Sequence, residues 1–217
     1  MNKTERHALY MRSAGWQLHG LTGGTSTPES TFKKADIFHK PFKNFGRVDD
    51  MSKSVCSSIA IALHQEKLYP SSCKLNIPIY FGLKEGPIAS DYAYYSDFLK
   101  FGGRAGRANL FIYTLPSSPL GEASVHFGLT GNLLFVNTDR TLYSICQMVK
   151  ESFELQRDKY CIIGLGEREG ESSNTLFMLF ERGTAQEPAS LDIDELSEVA
   201  YSDLNELSKI LQEKRQR

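Results

Sequence analysis

No stretch of this sequence approaches the run of about eighteen apolar residues that a membrane-spanning helix requires, so no membrane span is expected. An excess of one charge is also missing. Lys plus Arg number 25 against 26 for Asp plus Glu, a formal charge of −1. That balance excludes an overall basic nucleic-acid binder and an acidic disordered tail. Cysteine is sparse. The four thiols, Cys56, Cys73, Cys146 and Cys161, form no Cys-x-x-Cys pair and have no histidine at metal-ligand spacing. The expectation is therefore reduced thiols, a cytoplasmic protein and no metal or other cofactor. Charges at Lys3, Glu5, Arg6 and Arg12 leave no apolar segment for a secretory signal. Histidine is nearly as sparse, at His7, His19, His39, His64 and His126, with none beyond.

What is present is enough apolar material, 41% of 217 residues, to build a sizeable core. Residues 7–14, 76–83, 132–136, 160–164 and 176–181 read as strands, several of them continuously apolar in the manner of buried strands. Residues 50–68 read as a helix capped by Asp50 or Ser52, with Val55, Ile59, Ala62 and Leu63 at helical spacing. Residues 89–101 and 119–127 read as two more helices. The clearest helix follows Thr138 and Asp139, with Leu142, Ile145, Cys146, Val149 and Phe153 on one stripe. The segments 20–30 and 33–47 read as loops, the second packing a few phenylalanines, and 109–115 as a short extended run. The Gly-Gly-Arg-Ala-Gly-Arg stretch from Gly102 lacks the Lys-Ser/Thr ending of a phosphate loop and reads as a helix stop. After a linker at 184–189, residues 192–213 predict one amphipathic helix whose leucines must cover the domain's own sheet or a partner. Strands alternating with helices give an α/β layered domain.

Three segments carry a family resemblance. Residues 110–131 (LFIYTLPSSPLGEASVHFGLTG), 160–167 (YCIIGLGE) and, upstream, 42–68 (FKNFGRVDDMSKSVCSSIAIALHQEKL) resemble, in order and spacing, the N-terminal half of a β-ketoacyl synthase, a condensing enzyme of the thiolase fold. The resemblance implies a thiolase-like half over residues 1–183, a single layered α/β domain with a mixed, mostly parallel sheet. Residues 184–217 would then be a linker and a C-terminal helix. It also implies a nucleophilic cysteine after the strand 132–136, at the start of the next helix, where the helix dipole and backbone N–H groups lower a thiol pKa. Counting from Gly131, that place is held by Arg140, which can be neither acylated nor deprotonated near neutral pH. Asn132 stands where the family has Pro, and Gly164-Leu165-Gly166 replaces a Gly-Gly pair. The histidines that the family's second half supplies have no counterpart after residue 126.

In the family, the strand before the nucleophile pairs with its copy in a partner subunit. Here that strand is Leu133, Leu134, Phe135 and Val136, with Arg140 close behind it, and these five are the expected interface residues. One reading is thus a catalytically inactive dimerising or partner subunit in fatty-acid or polyketide-type biosynthesis, similar to chain length factors but shorter. It would dock on itself or on an active synthase, with acyl carrier protein as a further partner. A second reading is an acyltransferase or thioester hydrolase that uses Cys146, or Ser117 or Ser118 with His126. A third is a scaffold with no lipid connection.

Overall fold

Alternating apolar residues in Tyr160–Glu169 and Ser172–Gly183 point to opposite faces of one sheet, and each face collects its own helices. The computed structural model describes residues 8–30, 34–43, 45–83, 85–104, 106–137, 142–155, 158–170, 172–183 and 191–215. Its sheet is built from β1 (Ala8–Leu18), β2 (Leu21–Gly24), β3 (Thr27–Ser30), β4 (Ile79–Leu83), β5 (Leu133–Val136), β6 (Tyr160–Glu169) and β7 (Ser172–Gly183). Their order across the sheet is β3-β2-β1-β7-β6-β4-β5. β4 pairs in parallel with β5 and β6, whereas β7 opposes both β6 and β1, and β2 opposes β1 and β3. Hence β1, β3, β4, β5 and β6 run one way and only β2 and β7 the other. The sheet is mixed and mostly parallel by strand direction, although its β1–β3 end is an antiparallel meander.

One face carries α1 (Lys34–Ile37), α2 (Asp50–Gln65) and α5 (Ser118–Phe127). Val55, Cys56, Ile59 and Leu63 of α2 and Leu120 and Ala123 of α5 bury against Ile79, Phe81, Ile162, Phe177 and Leu179. Asp49, one residue before the predicted cap, accepts from the Ser52 N–H at 3.0 Å and starts α2. A polar seam lies within this contact. Ser54 Oγ and Ser58 Oγ meet Thr175 Oγ1 at 2.8 and 2.7 Å, and Ser13 Oγ donates to the Ala62 carbonyl at 2.8 Å. A register shift between Met11 and Ser13 changes the parity of β1, so that Leu9 and Met11, then Ala14, Trp16 and Leu18, share the opposite face.

That opposite face holds α6 (Leu142–Leu155), α7 (Ile193–Ser197) and α8 (Leu204–Arg215). Leu191, Ile193, Leu196, Leu204, Leu207 and Leu211 join the same core as Ile145, Cys146, Val149 and Trp16, so the tail covers its own sheet. The single helix expected over 192–213 is in fact two. Asp203 accepts from the Glu206 N–H at 2.8 Å, and the Glu206 carboxylate bonds Ser202 at 2.7 Å, a capping pair that starts a new helix.

Other expectations change in local ways. The predicted loop 20–30 supplies β2 and β3, because Thr22 and Leu21 can pair back on Gln17 and Leu18. The predicted extended run 109–115 is instead α4 (Ala108–Phe111) and a 3-10 turn (Ile112–Thr114). The phenylalanine loop does pack Phe38 and Phe42 into the core. The Gly-rich stretch is a helix stop: Gly102 and Gly103, at φ +68° and +70°, end α3 (Ile88–Lys100), and the Gly103 N–H donates to the Phe98 carbonyl. The linker 184–189 and the expected caps Thr138 and Asp139 lie outside the described residues.

Candidate functional site

In an open α/β sheet, ligand crevices form beyond the carboxyl ends of parallel strands, where neighbouring connections diverge. Here β4, β5 and β6 end together, and a cavity of about 400 Å3 opens at the ends of β4 and β6. Gly82, Glu85 and residues 165–169 form its floor and one wall, His19 a corner, and Tyr201 to Asn205 the other wall. Gly164 lies beneath the floor. A Cβ there would stand 2.0 Å from the Phe177 ring, which stacks on Phe81 at 5.3 Å, so the aromatic layer under the cavity requires glycine.

Hydrogen bonds hold these walls in place. Glu167 Oε1 accepts from the Leu204 N–H at 3.3 Å, at the start of α8. His19 sits at φ +49°, and its own N–H donates to Asn174 Oδ1 at 2.9 Å. Its ring reaches Glu169 at 3.4 Å and the Asn205 amide at 2.7 Å. The lining is polar and rich in carboxylates, but it contains no cysteine, and its one serine, Ser202, donates to Glu206. Among the described residues no group of three or more His, Cys, Asp or Glu side chains can hold a metal ion.

The residues expected to react are elsewhere. Cys146 is fully buried on the α6 stripe, and burial pushes its thiol up to about 12, opposite to what a nucleophile needs. Burial likewise raises Cys56 and Cys161. The Ser–His pair does not form. Ser118 opens α5 and its Oγ donates to the Ile112 carbonyl, whereas His126 lies in the last turn, roughly 12 Å further along the helix axis. There His126 stacks on Phe42 at 4.2 Å and reaches the Tyr69 hydroxyl at 3.1 Å. Ser117 precedes the helix, and its hydroxyl accepts no capping N–H.

Leu133 to Val136 form β5, the end strand of the sheet among the described residues. Leu134 packs toward the α6 face and Phe135 toward the α2 face, where it meets Phe81 at 6.0 Å. All four residues keep partial exposure. Arg140 lies outside the described residues. Sequence reasoning singled out the GLGE motif that ends in Glu167 but missed its partners. His19 falls between the predicted strand 7–14 and the predicted loop 20–30, and Asn205 and Tyr201 in a tail read as one helix.

No protein-family model matches this chain, and no curated protein matches it. Solved structures do. A chain of the ketosynthase ApeO in complex with its chain length factor ApeC from Xenorhabdus doucetiae superposes with a TM-score of 0.56 at 12% identity, over 82% of this chain and 80% of that one. A β-ketoacyl synthase from Burkholderia phymatum STM815 gives 0.60 at 12%, and the ishigamide ketosynthase/chain length factor gives 0.59 at 9%. This chain covers 59% and 64% of those two, less than two thirds of their length. The fold is that of the ketosynthases. The near-equal shares in the first match mean that the solved chain is about as long as this one.

Proposed function

We propose that this chain is a catalytically inert ketosynthase-like subunit that binds an active ketosynthase, in the cytoplasm, in fatty-acid or polyketide-type biosynthesis. One observation carries the reading: the similarly sized solved chain that it matches belongs to a ketosynthase–chain length factor complex. The chemistry of this chain is consistent with such a role. The cavity at the strand ends has no thiol, the helix-borne thiol is buried and protonated, and the count from Gly131 would set Arg140 at the family's acyl-loading position. Partner binding falls to β5, whose outer edge carries no strand among the described residues and can take one from another subunit. Arg140, four residues after Val136 in the sequence, would pair with a carboxylate or with the phosphate of a carrier protein's pantetheine arm.

The test is co-expression with a ketosynthase from the same source, followed by exposure to an acyl-pantetheine thioester and intact-mass measurement. The two chains should co-purify, with the acyl group on the synthase alone. Phe135→Asp, at the strand edge, should separate them. A stable acyl adduct on this chain, at Cys146 or a serine, would overturn the reading and restore the acyltransferase alternative.

A further inference from the structure

α3 obeys the pattern of a helix that packs, yet it packs almost nothing. Of its thirteen residues only Asp97 is buried. Ile88, Tyr92, Tyr95 and Leu99, spaced four, three and four apart, fall on one stripe about 60° wide at 3.6 residues per turn. They are 48%, 68%, 58% and 55% exposed. The opposite side of the helix is what fastens it to the body. Asp97 takes a two-point ion pair from Arg107 at 2.6 and 3.0 Å, Ser90 donates to Asp49 at 3.0 Å, and Tyr94 lies 5.4 Å from Phe111. The orientation of the stripe is therefore fixed, and it faces outward. Beside it, a groove of about 490 Å3 is lined by Ile88, Tyr92, Tyr95, Tyr94, Asp91 and Thr114.

We infer that this stripe is a self-association surface, on which α3 of one protomer packs antiparallel against α3 of a second copy. The occupant follows from the order of the side chains. Ile-Tyr-Tyr-Leu at 4-3-4 spacing reads nearly the same backwards. Reversal about a two-fold axis through the middle of the helix sets Tyr92 opposite Tyr95 of the other copy, and Ile88 opposite its Leu99. A two-fold interface demands this self-complementarity, in which each residue meets the partner of its partner. The neighbouring charges agree with it. Asp91 and Lys100 lie off the centre of the helix, so reversal carries each away from its own copy.

Area agrees as well. Ile112 and Leu115, both about half exposed, extend the apolar surface through the 3-10 turn that packs against α3. Taking ~200 Å2 for a large side chain, these two and the four of the stripe present on the order of 650 Å2. That is at the upper end of what the largest apolar patch of a monomer reaches and approaches one side of a standard interface, roughly 800 Å2. The surface is separate from β5, so the inference does not depend on binding to a synthase.

Sedimentation velocity on the full chain alone, across concentration, tests it. The wild type should sediment as a dimer. Tyr92→Glu/Tyr95→Glu should be monomeric at the same concentrations, and Ile88→Glu/Leu99→Glu should weaken association by at least about thirty-fold. Because all four positions are exposed, both variants should melt where the monomeric wild type does. A wild type that is monomeric throughout would overturn the inference, as would a dimer that survives both variants. If the wild type is monomeric and the stripe variants lose only a co-purifying ketosynthase, the occupant is that synthase and the second copy is excluded. If Phe135→Asp dissolves the dimer and the stripe variants do not, β5 is the self-interface and the inference fails.

Discussion

α3 and α6 are written in the same periodic code and meet opposite fates. Each is a helix of thirteen or fourteen residues with one apolar stripe. In α6 the stripe of Leu142, Ile145, Cys146, Val149 and Phe153 is entirely buried, roofed by the sheet and by the tail helices. In α3 the stripe is bare and an ion pair holds the helix from behind. Periodicity thus states that a face will be covered but not by what. A stripe covered within the chain is part of folding, and a stripe left open is available for association.

The widest test of this difference removes the cover. Deleting residues 192–217 strips five buried apolar side chains from the α6 face, on the order of 10 kcal/mol of gross burial. The truncated chain should enter the insoluble fraction or change its oligomeric state. A soluble truncation of unchanged mass in solution would show that the tail is dispensable. The next test is a charge on each stripe. Val149→Asp puts a carboxylate into a dry core and should cost about 4 kcal/mol or more, enough to unfold most of the chain. Tyr92→Asp should change the unfolding free energy of the monomer in urea by less than about 0.5 kcal/mol. Equal losses would mean that α3 is as integral as α6. A third test attacks the fastening of α3. Arg107→Met leaves Asp97 buried without its cation and should cost about 2 kcal/mol, less than a fully buried pair because Arg107 is largely exposed. Hydrogen exchange should show the loss confined to Ile88–Lys100, with α6 unchanged.

The same contrast explains what could be read from the chain beforehand. The α6 stripe, the α2 stripe and the buried strands were legible because long periodic or continuous apolar runs leave one structural choice. The family resemblance supplied the layered order, and the superposition on ketosynthases agrees with it. What escaped depends on short-range polar chemistry. Asp203 and Glu206 split the tail helix, and a capping pair inside an unbroken leucine pattern is easily overlooked. β2 and β3 form from a Gly-Thr-Ser stretch whose pairing is set by β1 rather than by its own propensity. The cavity itself was not legible: Glu167 was read only as part of a motif that carries the resemblance. Its other walls come from segments 150 residues and more apart in the chain (His19 against Glu169 and Asn205), a proximity that no local pattern carries.

The gentlest test asks how tightly the α6 stripe is sealed. Cys146 faces the core, and burial raises its thiol to about 12, with the Lys150 ammonium only partly opposing the rise. In the unfolded chain the same thiol titrates near the ordinary value of about 8.5. The unfolded state therefore releases this proton first as pH rises. The stabilisation is whole below about pH 8.5 and is lost progressively toward pH 12. Between pH 8 and pH 10 Cys146 alone should account for about 2 kcal/mol of lost stability. Cys56 and Cys161 are raised by burial too, so the full alkaline loss is larger, and Cys146→Ala isolates one thiol's share as a shallower pH slope. Urea titrations of both proteins at the two pH values measure it. Parallel slopes would mean that solvent already reaches Cys146 in the native state. The α6 stripe would then be no better covered than the stripe on α3, and the distinction between a folding face and an associating face would have to be drawn elsewhere. Thiol labelling gives the same answer at constant pH: exposed Cys73 should react at once, and Cys146 only as fast as the chain unfolds.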